Sequence, residues 1–152
     1  MDNTRKIAIA CDHAGFDLKS QCIAWVRDMG YEALDLGTDS IDSVDYPDFA
    51  KKMGDVISDG GCQTGILICG SGIGISIAAN RFPSVRCALC HDETTARLAR
   101  QHNDANVIAL GSRTTGIETA KAAIEVFLST DFDGGERHTR RINKLSDKLG
   151  DT

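Results

Sequence analysis

Five short apolar runs, IAIAC, ALDL, TGILIC, VRCALC and VIAL, are separated by segments whose apolar residues recur with a helical period. The alternation predicts strands over 7–11, 33–36, 64–69, 85–90 and 107–110. It predicts helices over about 16–29, 47–59, 73–79, 94–100 and 117–129. The runs are rich in Ile, Val, Leu and Ala with little polar alternation, as in strands covered by helices on both faces. A β-α-β-α succession of this kind gives a parallel sheet between two helical layers, a three-layer α/β/α, Rossmann-like domain. The start and stop chemistry is clearest in DYPDFAKKMGDVISDGG, where Asp45 and Pro47 open a helix and Gly60–Gly61 close it. No linker-like break divides the 152 residues, so the whole chain reads as one domain. Gly134 and Gly135 precede a last helix over about 138–149. Its apolar stripe is too thin to pack deep in its own domain, which assigns it to a neighbouring subunit.

The carboxyl ends of the predicted strands carry Asp12–His13, the loop after Cys69, His91–Asp92 and the residues after Leu110. In an open parallel sheet, ligands bind at that end. The loop CGSGIG alternates Gly70, Gly72 and Gly74 with Ser71 and Ile73, directly before a helix. Several N–H groups can then face one concavity, beside a helix N-terminus that favours negative charge. Two nucleotide patterns fail on residues. No Lys follows Gly74, as a P-loop requires, and positions 75 and 77 are Ile where a dinucleotide loop needs Gly. What remains is an anion formed during a reaction and stabilised by preorganised amides. A thiol at a strand end facing a helix N-terminus is suited to act as base or nucleophile, and Cys69 is so placed.

Other candidates come in small groups. Asp12 and His13 sit at the first strand end, and His102 and Asn103 in RQHNDANV. Arg137 and Arg141 lie four apart in GGERHTRR, on one face if the helix has begun. Two guanidinium forks suit a phosphate, and Arg113 can join them. The CALCH segment, Cys87 to His91, matches a haem-attachment pattern. In a strand, however, residues three apart point to opposite faces, so Cys87 and Cys90 read as core thiols. The net charge of -5 argues against a general nucleic-acid binder. Only six apolar residues precede Asp12, too few for a signal core or membrane span, so a cytoplasmic protein with no membrane partner is expected.

The segments CDHAGFDLK, DYPDFA, GILICGSGIGISIAANR, RQHNDANVIALGSR and GGERHTRRI together resemble ribose-5-phosphate isomerases of the B type. These belong to a wider family that includes galactose-6-phosphate and allose-6-phosphate isomerases. The resemblance covers almost the whole chain. It implies an aldose–ketose isomerase without metal or other cofactor, dimeric or tetrameric, with sites at the subunit interface. By resemblance, Cys69 is the base that moves a proton through an enediolate, and Gly70, Ser71, Gly72, Ile73 and Gly74 form the loop stabilising it. Ser71 stands where many members have Thr and keeps the hydroxyl. His102 opens the sugar ring, while Asp12, His13 and Asn103 bind sugar and Tyr46 lines the pocket. Arg113, Arg137 and Arg141 hold the phosphate. Some members use a Glu as base where this chain has Ile75, with Gly in place of Cys69, so this is the cysteine variant.

The strand arithmetic adds an expectation about assembly. His102 precedes the fifth strand, near the amino end of the sheet, whereas Cys69 ends the third. A five-residue strand is roughly 17 Å long. His102 and Asn103 are therefore expected to serve the Cys69 site of another subunit. Two rival readings stand beside the pentose isomerase: an isomerase of a six-carbon sugar phosphate, and a phosphosugar-binding module without catalysis.

Overall fold

The computed structural model describes residues 5–146. Five parallel strands, β1 (Lys6–Cys11), β2 (Glu32–Asp35), β3 (Thr64–Cys69), β4 (Cys87–Leu89) and β5 (Val107–Gly111), lie in the order β2-β1-β3-β5-β4. Helices α1 (Phe16–Asp28), α2 (Tyr46–Ser58), α3 (Ile73–Ala79), α4 (Glu93–Asn103) and α5 (Ile117–Ser129) connect and cover them, and α6 (Glu136–Ser146) follows. The two-residue period of the strands sorts side chains onto two cores. Ile7, Ile9, Ile66, Ile68, Ile108 and Leu110 meet α1, α4 and α5 through Val26, Ala99 and Phe127. Ala8, Ala10, Leu67, Cys69 and Ala109 face α2 and α3 through Phe49, Met53 and Ile75. The three-layer architecture read from the sequence is the observed one.

Element ends differ from the sequence reading where side chains compete for backbone groups. β4 covers only Cys87–Leu89 instead of 85–90. The Arg86 and Cys87 amides donate to the side-chain oxygens of Asn106 and Asn80, both at 2.8 Å, which shortens the strand at its start. Cys87 and Cys90 do enter opposite cores, and burial pushes both thiols up, that of Cys90 to about 11. α4 runs from Glu93 to Asn103, longer at both ends than 94–100. Asp92 caps its start by accepting from the Thr95 amide at 2.7 Å, with a reciprocal contact that completes a capping box. Asp104 takes the left-handed position that closes it, at φ 43°.

Asp45 precedes α2 as expected, but its side chain makes no capping hydrogen bond. Helix α6 begins at Glu136, two residues earlier than read, so Arg137 and Arg141 share one helical face. Residues 147–149 of the expected helix lie outside the described residues. None of α6's residues is buried. Within the described residues no helix is long and apolar enough to cross a membrane.

Candidate active site

Three strand ends converge on one cleft. Asp12 directly follows β1, Cys69 ends β3, and Gly111, paired with Cys69 across the ladder, ends β5. Backbone bonds lock the loops together. The Asp12 amide donates to Ile68 O at 3.2 Å, that of Ser112 to Cys69 O at 2.9 Å, and that of Arg113 to Gly70 O at 2.9 Å. The Ser112 hydroxyl donates to Ala14 O at 2.8 Å, tying the first loop to the last. The resulting cleft of about 350 Å³ is lined by Asp12, Tyr46, Cys69, Gly70, Ser71, Gly74, Arg113 and Thr114.

Each glycine of the loop has its own reason. Gly72 has φ 75°, a conformation side chains resist, and a Cβ there would also press on Leu110 and Leu89. A Cβ on Gly70 would come within 3.0 Å of the Arg113 guanidinium. One on Gly74 would come within 2.6 Å of the Tyr46 ring. One turn glycine and two clearances let an arginine and a tyrosine close over the loop.

The turn also aims a donor at the thiol. The Gly72 amide donates to Cys69 Sγ at 3.1 Å, a contact that complements a thiolate. The Ile73 amide donates to the Ser71 hydroxyl at 3.2 Å. The next amides of α3, those of Gly74 and Ile75, have no partner within the helix by geometry. Cys69 is buried in the cleft floor. Ile75 is fully buried and faces the core, where it has no proton to exchange.

Asp12 caps a turn as well as lining the cleft. Its carboxylate accepts from the Ala14 and Gly15 amides at 3.0 and 3.3 Å, capping a 3-10 turn over His13–Gly15. His13 Nδ1 lies 3.2 Å from the Val44 amide nitrogen and 3.3 Å from the Val44 carbonyl oxygen, which holds the ring against that residue. Ile73 is half-exposed on the outer side of the loop.

A second group assembles elsewhere. His102 and Asn103 sit in the last turn of α4, beyond the 94–100 predicted for it, and Asp104 takes the left-handed position that follows. Arg86 donates to Asn103 O and Asp104 O, both at 3.1 Å, and Arg100 to Asp104 Oδ1 at 2.9 Å, so this end is rigid. His102 stacks on His138, ring centroids 4.4 Å apart and planes 11° from parallel. Desolvation, followed by the neighbouring His102 and Arg137, holds His138 below the ordinary histidine value. Arg137 and Arg141 are exposed on the same helix, and among the described residues neither is in an ion pair.

The sequence-predicted residues thus fall into two groups within one chain. The cleft collects Asp12, Tyr46, Cys69, Gly70, Ser71, Gly74 and Arg113. His13, Gly72 and Ile73 adjoin it in sequence without lining it, and His102, Asn103, Arg137 and Arg141 do not line it. The sequence reading missed Thr114 and His138. Each stood beside an arginine that drew attention first, in GSRTT and GGERHTRR.

The chain matches the family model described as Ribose/Galactose Isomerase over residues 7–145. It is 44% identical to ribose-5-phosphate isomerase B of Escherichia coli over 142 residues, 93% of this chain and 95% of that protein. It is 42% identical to a D-erythrulose-4-phosphate isomerase of Pectobacterium atrosepticum, over 85% of this chain and 86% of that one. The structure of a type B ribose 5-phosphate isomerase of Trypanosoma brucei superposes with a TM-score of 0.92 at 47% identity, covering 94% and 97% of the two chains. That of a Thermotoga maritima ribose 5-phosphate isomerase does so with a TM-score of 0.90 at 51% identity, covering 93% and 97%. The chain belongs to the ribose/galactose isomerase family.

Proposed function

We propose that the protein interconverts ribose 5-phosphate and ribulose 5-phosphate in the cytoplasm, as a homodimer or tetramer whose sites are shared between subunits. The observation that carries this reading is the Gly72 amide aimed at the Cys69 sulfur, in the floor of the strand-end cleft. Asp12, His13 and Asn103 hold the sugar, and His102 moves the proton that opens its ring. Cys69, as thiolate, takes the proton from C2 and becomes a thiol. The electron pair left behind forms the enediolate, whose oxygen charge faces the loop Gly70–Gly74 and the start of α3. The thiol then returns the proton to C1, the hydroxyl proton passes between O1 and O2, and the ketose results. Arg113, Arg137 and Arg141 hold the phosphate by charge-assisted bonds.

The separation of the two groups in one chain supports sharing. His102 lies at the end of α4, just before β5 begins at Val107, while Cys69 pairs with Gly111 where β5 ends. Exposed Ile73 and Ile77, four apart on α3 beside the cleft, supply an apolar surface for the neighbour.

Incubation with ribose 5-phosphate in D₂O, followed by NMR, tests the reading. Allose 6-phosphate, galactose 6-phosphate and erythrulose 4-phosphate are run beside it. Rapid pentose conversion with loss of the C2 proton is expected. Faster turnover of another sugar moves the substrate assignment to that sugar. No exchange with any of them makes the cleft a binding module.

A further inference from the structure

We propose that His102, Asp133 and His138 form a binding site for a zinc-type divalent cation, and that loading it silences the enzyme. One potential ligand atom from each lies within 4.8 Å of the others. Three separate pieces of chain bring them together. His102 comes from the last turn of α4, Asp133 from the segment before α6, and His138 from the first turn of α6. The Asp133 amide donates to Gln101 O at 3.2 Å, which fixes the carboxylate's segment beside His102. Gly134, at φ 67°, then turns the chain into α6.

Two imidazoles and one carboxylate are a borderline-soft donor set. It suits zinc and its first-row neighbours and does not suit magnesium or calcium, which take oxygen ligands. Three protein ligands leave a fourth position open to water or to a substrate oxygen. The rings are now face to face, so their in-plane lone pairs do not converge. Metal binding swings the half-exposed His138 out of the stack toward Asp133 and contracts the set to bonds of about 2.0–2.2 Å. The functional consequence rests on the ring-opening role proposed above. A His102 nitrogen bonded to a metal has no lone pair with which to move a proton.

Cobalt(II) and zinc(II) are the probes, with the full chain in phosphate-free buffer. Titration with cobalt is expected to give the visible absorption of a tetrahedral ion at one equivalent per chain, without the near-ultraviolet band of a cobalt–thiolate bond. Zinc, followed by equilibrium dialysis, is expected to bind at least tenfold more weakly to Asp133→Asn than to the natural chain. His138→Gln is expected to weaken it similarly. A thiolate band, or equal zinc affinity in all three proteins, would place the metal on a cysteine or nowhere specific and overturn the site. In the isomerase assay, zinc is expected to lower turnover of the natural chain at least tenfold. Asp133→Asn, as active as the natural chain in chelator, should resist the same concentration. Zinc that binds the trio without lowering turnover would leave the metal site standing and overturn its silencing effect, together with the role assigned to His102.

Discussion

Cys69 is set apart from the other cysteines by its place in the cleft. Cys22 and Cys87 meet apolar core, and burial pushes their thiols up. Cys69 receives a backbone N–H. If that sulfur is the proton carrier, Cys69→Ala lowers kcat by roughly 10²–10⁴-fold, the usual contribution of a general base. KM should then stay within a fewfold, because the thiol acts mainly in the transition state. Steady-state kinetics on ribose 5-phosphate read both quantities. Arg137 tests the other end of the substrate. Truncation to Ala removes a charge-assisted bond and should raise KM about tenfold or more. Binding of phosphate-free ribose, measured by calorimetry, should be unchanged.

At the scale of elements, caps decide where helices stop and hence where site residues stand. Asp92 opens α4, whose far end carries His102. Donation from the Thr95 amide, then from its hydroxyl, holds the Asp92 carboxyl below its ordinary value of 3.8. A carboxyl whose pKa is depressed by folding stabilises the fold above 3.8, and that contribution is lost as pH falls through the lower folded value. Asp92→Ala should therefore lower Tm by about 2–4 °C at pH 7. The gap to the natural chain should close as pH falls below 3.8, which thermal unfolding at several pH values reads directly. The existence and order of the strands and of the first five helices followed from apolar period, since β1, β3 and β5 are buried between helices. The last helix was marked by the Gly134–Gly135 break. The element ends were not so marked. β4 is shortened because Asn80 and Asn106 take backbone donors that a longer strand would use, and α4 is lengthened because Arg86 and Arg100 hold its final turn. Such contacts span 7 to 20 residues or arise at the helix end, and no local pattern announces them.

At the scale of the molecule, the loop and its thiol were legible because a strand ending in Cys and three glycines is a local pattern. The reasons for Gly70 and Gly74 were not, since Arg113 and Tyr46 reach them from other loops. The stack of His138 on His102 was likewise hidden, because α4 and α6 meet only in the fold. What strand length did foretell is the separation of His102 from the Cys69 cleft within one chain. The proposed shared site turns that separation into a requirement for a second copy, related by two-fold symmetry. Subunits carrying Cys69→Ala are mixed with subunits carrying His102→Ala, unfolded together and refolded. If sites are shared, each hybrid dimer holds one intact site, and an equal mixture regains about a quarter of natural activity from two inactive parents. If each chain builds its own site, every site in the mixture lacks one of the two groups, and no activity returns.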